Sequence, residues 1–376
     1  MELNSLKRMI PITKPTLPNY EKIGDKFKEV INSGMITNSK YVKEFENKVA
    51  NYTNTEESTA LSSCTSGLIL TQKMLKLKGE VITPSLTFHA TTHSLVWNNL
   101  TPKFVDIEEE HYCIDPEKVK EAITSKTSAI LAVHLFGHPA NVKALQEIAN
   151  DYNLKLIFDA AHAFGSKING EMIGSFGDAE IFSLSPTKLI TTGEGGIVTS
   201  KNKELISKLK LARNYGDGGD LNPQFSGLNA RLSEFNAILG IETLEYLEKN
   251  IQRRNELANL YKRKLSNFGV KFQKISNNVR TTFKDFSIYL NEEITGINRD
   301  KLHEKLHEKG IMTRKYFYPP VHKQGAFSSF NELSLQKTEH ISSNILSLPL
   351  YSHMEENEVE QVCNIFEKVI QENGKR

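Results

Sequence analysis

Lys188 and Asp159 stand where chemistry would need them. Lys188 closes the run Phe182-Ser183-Leu184-Ser185-Pro186-Thr187-Lys188 and precedes Thr192-Gly193-Glu194-Gly195-Gly196. Upstream, Asp159 ends the apolar run Ile157-Phe158-Asp159 and leads into Ala160-Ala161-His162. A lysine and an aspartate that each follow a buried strand meet the two demands of pyridoxal 5'-phosphate. The lysine amine forms a Schiff base with the aldehyde, and the aspartate keeps the pyridinium nitrogen protonated so that the ring draws off electrons. The plain alternative is a surface lysine in a turn and a helix-capping aspartate. It serves for either residue alone and poorly for both together.

Other residues group around the same chemistry. Ser62-Ser63-Cys64-Thr65-Ser66-Gly67 follows a strand and opens a helix. Small hydroxyl residues there leave backbone N–H groups for a phosphate without a basic cluster; an ordinary N-cap is the alternative. Phe88, in Pro84-Ser85-Leu86-Thr87-Phe88-His89-Ala90-Thr91, offers a face for a planar ring. His89, His93 and His162 complete no ligand set with a carboxylate or cysteine, so no metal is expected. Arg314-Lys315-Tyr316-Phe317-Tyr318-Pro319-Pro320-Val321-His322 combines stiff prolines, aromatic faces and cations. Arg314, Tyr316, Tyr318 and His322 are candidates to bind a sugar and its diphosphate, with interdomain packing as the alternative. Gly193, Gly195 and Gly196 are read as a tight turn.

These positions need strands that deliver them to one edge. Runs at 58–62, 80–83, 103–107, 129–133, 155–159, 180–183 and 196–199 are mostly continuous and apolar, the pattern of strands covered on both faces. Amphipathic helical periods fit between several of them. The expectation is an α/β fold with a mostly parallel sheet between helices and ligands at the strands' carboxyl ends. After about residue 232 the pattern changes to one long helical stretch at 233–265. Strand-like runs at 270–275 and 283–290 follow, then helices at 299–309 and 356–371. The chain is therefore divided into a large cofactor-binding domain at 1–245, with an N-terminal arm, and a smaller α+β domain at 246–376.

Composition narrows the partners. A net charge of +2, from 47 basic and 45 acidic residues, gives no case for nucleic acid or a membrane surface. No apolar run approaches the ~20 residues that span a bilayer, and residues 1–14 lack the pattern of a signal peptide. Three scattered cysteines form no disulfide framework and fit a reducing cytoplasm.

The motifs together resemble the DegT family of aminotransferases. The pieces that carry the resemblance are Gly34-Met35-Ile36-Thr37-Asn38 with Phe45-Glu46, the 63–67 cap, the 84–91 run, Asp159 to Gly165, Gly174-Ser175-Phe176-Gly177-Asp178, the 183–196 run, and Gly227-Leu228-Asn229-Ala230-Arg231-Leu232-Ser233-Glu234. The resemblance implies an aspartate-aminotransferase fold with a seven-stranded sheet, and amination of a keto group on a nucleotide-linked sugar with glutamate as donor. It assigns Lys188 to the Schiff base, Asp159 to the ring nitrogen, His162 to the ring's phenolic oxygen and Phe88 to the ring face. The Cys64 and Thr65 backbone, the Thr65 hydroxyl and Ser183 take the phosphate, and Asn229 reaches it from the second subunit of a homodimer. Cys64 stands where the family often has glycine, His162 where it often has glutamine, and Ser185 where many members have histidine. A lysine at 188, where one branch of the family has histidine and dehydrates its substrate, argues for transamination. The expected product is a 4-amino-4,6-dideoxyhexose. A 3-keto-sugar transaminase, a pyridoxal phosphate lyase and a non-catalytic cofactor-binding regulator are the competing readings.

Overall fold

A computed structural model of the chain describes residues 9–373. Residues 1–8, part of the segment read as lacking a leader, lie outside the described residues.

The central sheet has seven strands in the order Glu57–Leu61, Gly196–Ser200, Ala179–Ser183, Lys155–Asp159, Thr127–Val133, Glu80–Pro84, Thr101–Val105. All run parallel except Gly196–Ser200, which is antiparallel to both its neighbours. The expected runs are therefore strands, with ends shifted by a residue or two. Burial deepens along them: Glu57, Glu80 and Lys155 begin strands at the half-exposed or exposed edge, and the carboxyl ends are buried. Successive residues feed opposite layers. Val81 and Ile157 pack with Leu68, Leu205 and Leu209 on one face; Ile82 and Phe158 pack with Val119, Leu145 and Ile148 on the other. This alternation, apolar on both sides, is why the strands read as continuous apolar runs.

The helical stretch at 233–265 is two helices, Glu234–Glu245 and Leu247–Leu265, with the break at Tyr246. The second helix joins two cores. Leu247 and Ile251 pack with Phe45 and Phe182, whereas Leu257, Tyr261 and Leu265 belong to a core with Phe286, Ile288, Leu306, Leu348 and Phe366. An antiparallel sheet of Val270–Phe272, Phe286–Leu290 and Ile345–Leu348 lies in that second core. The expected strand at 283–290 starts only at Phe286, because Phe283 takes a positive φ of 43° and turns the chain. Strand Ile345–Leu348 and the helices Tyr20–Ser33 and Lys40–Thr53 were not anticipated. Ile10 also packs into the second core, bridged to Gly310 and Met312, so the chain's start is tied to its last third.

Candidate active site

The six parallel strands and one reversed strand place the site. The carboxyl ends of Glu57–Leu61, Glu80–Pro84, Lys155–Asp159 and Ala179–Ser183 point to one edge, and Gly196–Ser200 starts there. The loop between Ser183 and Gly196, which carries Lys188, therefore leaves and re-enters the sheet beside Asp159.

Asp159 is 5% exposed. Thr91 Oγ1 donates to its Oδ2 at 2.6 Å, and the Ala161 N–H donates to Oδ1 at 3.1 Å. Burial raises the carboxyl above its ordinary range, and those two bonds, with the charge of Lys188, oppose the rise. Lys188 is half-buried. Desolvation and then the Lys284 ammonium pull its amine down to about 8, against the pull of Asp285, Cys64 and Asp159. Such an amine is far less basic than an ordinary lysine, so a larger share of it is free near neutrality and fit to take a proton.

His162 is set by its backbone neighbour. The Phe136 N–H donates to His162 Nδ1 at 3.2 Å, which makes Nδ1 an acceptor and leaves the proton on Nε2. Burial, followed by the charges of Lys188 and Lys284, holds the ring well below its ordinary pKa. His162 is thus a neutral donor through Nε2. Its ring stacks on Phe317 with centroids 6.2 Å apart, and Phe317 lies 6.2 Å from Phe88. Phe88 precedes the helix His89–Trp97 and keeps 51% of its surface exposed, an open face at the strand end.

The Ser62–Gly67 run forms a capped helix start. Ser63 is the N-cap of Cys64–Met74 in a reciprocal capping box with Ser66. That box occupies the Ser66 N–H and leaves the first-turn N–H groups of Cys64 and Thr65, and the Thr65 hydroxyl, without acceptors among the described residues. The Ser183 hydroxyl is 3.4 Å from the Ser185 hydroxyl. Gly196 underlies the cradle: a Cβ there would overlap the Ser63 carbonyl and the Cys64 nitrogen. Desolvation holds the Cys64 thiol well above its ordinary range, and the thiol donates to the Ile181 carbonyl, so Cys64 offers the cradle only its backbone.

This donor set fits pyridoxal phosphate: free helix-start N–H groups for a dianion, a buried carboxylate for a ring nitrogen, an Nε2–H for an oxygen and an amine of lowered basicity. The cavities of about 560 Å³ and 460 Å³ lined by Arg253 and by Lys201 share none of these residues.

The remaining candidates are placed less uniformly. Asn229 is exposed, in the loop whose Ala230 carbonyl accepts the Ser62 N–H, with exposed Tyr215 and Leu228 nearby. Tyr316 lies beside Asp285, and burial, then that charge, raises its hydroxyl pKa. The charge of Arg314 opposes that rise, and Arg314 forms no ion pair with a carboxylate among the described residues. The Tyr318 ring, partly exposed, sits 4.6 Å from the Arg299 guanidinium. His322 is buried with both ring nitrogens engaged, Nδ1 with Ser85 at 2.6 Å and Nε2 with Glu339 at 3.0 Å. That arrangement pins one loop to another and leaves no ring nitrogen for a ligand.

Four contributors escaped the sequence reading. Thr91 was signalled by its place in the first turn of the His89–Trp97 helix, four residues after Thr87, and Phe317 by its place between the two tyrosines. Lys284 and Asp285 are adjacent charges at the head of an apolar run, a pattern worth a flag in any buried strand.

Comparison with known proteins gives this arrangement its class. Residues 19–367 match the DegT/DnrJ/EryC1/StrS aminotransferase family, and the chain belongs to it; it is a pyridoxal-phosphate-dependent transaminase. The lyase and regulator readings fall accordingly. The chain is 31% identical over 366 residues to dTDP-4-amino-4,6-dideoxy-D-glucose transaminase of Escherichia coli, covering 95% of this chain and 98% of the relative. It is 34% identical to dTDP-3-amino-3,6-dideoxy-alpha-D-galactopyranose transaminase of Aneurinibacillus thermoaerophilus, over 91% of this chain and 94% of that one. The crystal structure of DesI in the presence of its TDP-sugar product superposes with a TM-score of 0.93 at 31% identity, covering 97% of this chain and 94% of that chain. The fold expected from the sequence is the fold found. Among the described residues no helix is long and apolar enough to cross a membrane, and no group of His, Cys, Asp and Glu could hold a metal ion.

Proposed function

We propose that this transaminase moves an amino group from glutamate to a nucleotide-linked 4-keto-6-deoxyhexose, giving a 4-amino-4,6-dideoxyhexose, and that it works in the cytoplasm as a homodimer with composite sites. Residues 1–245 form the cofactor-binding unit and 246–376 the smaller one. The observation that carries the reading is the lowered basicity of Lys188 beside a buried Asp159, in a chain whose relatives act on nucleotide sugars. The 34% identical relative named for a 3-amino sugar makes the 3-keto position the alternative.

When bound, pyridoxal phosphate supplies an electron sink and a carbonyl that exchanges amines. The Cys64 and Thr65 N–H groups, with the Thr65 and Ser183 hydroxyls, hold the phosphate, and Asn229 of a second copy closes it. Asp159 keeps a proton on the ring nitrogen, His162 donates Nε2–H to the ring oxygen, and Phe88 covers one face. The neutral Lys188 amine takes the α-carbon proton of glutamate. In the return half-reaction it delivers a proton to the sugar carbon that bore the keto oxygen. Arg314, with no ion-paired carboxylate among the described residues, suits the diphosphate, and the Tyr316 and Tyr318 hydroxyls suit the sugar.

Purified protein incubated with glutamate and a panel of dTDP-, GDP- and UDP-linked keto-sugars tests the reading. 2-Oxoglutarate should appear only with a keto-sugar present, and NMR should place the new amine on carbon 4. Amination at carbon 3 selects the alternative; turnover of glutamate without any keto-sugar rejects both.

A further inference from the structure

Strands Thr127–Val133 and Lys155–Asp159 run side by side, with Val133 opposite Asp159 and the His134 N–H donating to the Asp159 carbonyl at 3.1 Å. The loops that leave their carboxyl ends therefore start together, and Phe136 of the first loop meets His162 of the second. Phe136 holds a left-handed backbone, with φ 58° and ψ 14°. A bulky residue is disfavoured there, and keeps such a conformation only where its surroundings over-determine it. Here they do. The Phe136 carbonyl accepts the Lys284 N–H at 3.0 Å, and the Gly137 carbonyl accepts the Ser166 hydroxyl at 2.7 Å. The His138 N–H closes the turn on the Leu135 carbonyl at 3.0 Å. The Phe136 side chain is 1% exposed, and its ring centre lies 6.2 Å from those of His162 and Phe317, within 10° and 17° of parallel to them.

Held this way, the Phe136 N–H donates to His162 Nδ1 at 3.2 Å. The Thr282 hydroxyl grips the other end of the residue, donating to the His162 carbonyl at 3.1 Å. His162 Nε2 has no acceptor among the described residues. A neutral imidazole carries one proton, so the nitrogen that accepts from the main chain sends it to the other. A main-chain N–H cannot reverse its polarity as a hydroxyl can, so it fixes which nitrogen that is.

We propose that Phe136 is a positioning residue of this site, whose left-handed backbone delivers a main-chain N–H that locks His162 in the Nε2–H form, so that a donor and never an acceptor faces the cofactor's ring oxygen. The proposal rests on the reading of His162 as the partner of that oxygen. It gives the disfavoured backbone at Phe136 a purpose: the side chain is packed so that the amide can point.

The experiment has two readouts on the holoenzyme. Nitrogen-15 NMR of histidine-labelled protein, with His162 assigned by comparison with His162→Gln, reads the lock: Nδ1 should be unprotonated and Nε2 protonated. A protonated Nδ1 in the wild type overturns the proposal without any Phe136 variant having to fold. Phe136→Ala and Phe136→Gly then remove the same ring and differ in whether a left-handed backbone is disfavoured. Phe136→Gly should keep the wild-type Nδ1 shift, whereas Phe136→Ala should populate the Nδ1–H form about fivefold more or beyond. The second readout is the pH midpoint of the cofactor's visible absorption band. A donor to the ring oxygen weakens that oxygen's hold on the neighbouring Schiff-base proton, so losing part of it raises the midpoint. The rise should be roughly half to one unit in Phe136→Ala and less than about 0.3 unit in Phe136→Gly. Equal changes in the two variants would make Phe136 a packing residue and overturn the proposal. An unmoved midpoint in His162→Phe overturns the reading of His162 itself, and the proposal with it, even where the nitrogen-15 spectrum shows the lock.

Discussion

Thr91 gives the sharpest test of how Asp159 is kept ionised. Its hydroxyl donates to Asp159 Oδ2 at 2.6 Å and pairs with the Thr87 hydroxyl at 2.8 Å, in a fully buried setting. Thr91→Val keeps the shape and removes the donor, leaving Asp159 with the Ala161 N–H alone. A hydrogen bond to a charged group contributes about 1.5–3 kcal/mol, equivalent to about one to two pKa units. The sign follows from which form the donor favours. Thr91 stabilises the carboxylate, and burial already holds the Asp159 carboxyl high, so losing the donor raises it further. The carboxylate needed beneath the ring nitrogen is then lost at a higher pH as the solution is acidified. Thr91→Val should therefore move the acid limb of the rate profile up by about one to two units, with a loss of kcat of about tenfold or more at pH values on that limb. Thr91→Ser, which keeps the hydroxyl, should stay within about threefold of wild type. The assay is steady-state 2-oxoglutarate release against pH, with cofactor content measured on each variant. A valine variant that retains wild-type rate and an unshifted acid limb refutes the role given to Thr91.

Three further outcomes are expected. Asp159→Asn should retain cofactor yet lose about a hundredfold or more in turnover, because an amide cannot hold the ring proton; an unchanged rate would reduce Asp159 to a helix cap. Lys188→Ala and Asn229→Asp should each be inactive, the second by repelling the phosphate, but co-expression should restore about a quarter of wild-type activity through mixed dimers with one intact site. No recovery from verified mixed dimers would remove Asn229 from the partner's site. His138, buried with neither ring nitrogen hydrogen-bonded among the described residues, is lowered from 6.5 to about 4 by burial and then by His111. Between those values the unfolded chain binds a proton that the folded chain refuses, so stability is full above pH 6.5 and falls by about 3 kcal/mol as pH drops to 4. Urea midpoints at pH 7 and 4.5 should show that loss in the wild type and a smaller one in His138→Phe; equal losses would assign acid sensitivity elsewhere.

The sheet was legible because its strands are buried on both faces, and continuous apolar runs such as 155–159 announce that without knowledge of their neighbours. The break at Tyr246 was not, because residues on both sides keep a helical period and only the switch from one core to the other divides them. Asp159 and Lys188 could be read from their places after strands. Thr91, Phe136 and Lys284 could not be assigned roles the same way. Each acts on a residue far along the chain: Thr91 on Asp159, and Phe136 on His162 and Lys284. His322 misled for the opposite reason: a histidine among aromatics looks available until its two partners, Ser85 and Glu339, arrive from elsewhere.

Gly196 bears on which substitutions the lineage of this chain can explore. What excludes a side chain there is the main chain of Ser63 and Cys64, so no change elsewhere in side-chain size can make room. Selection on a cofactor-free protein for folding alone would already reject alanine at this position, before catalysis was ever assayed. A deep mutational scan would thus record position 196 as intolerant under both screens, whereas Lys188 would be intolerant only under the catalytic one. The cradle's geometry is inherited as a property of the fold, and the chemistry performed above it is free to drift.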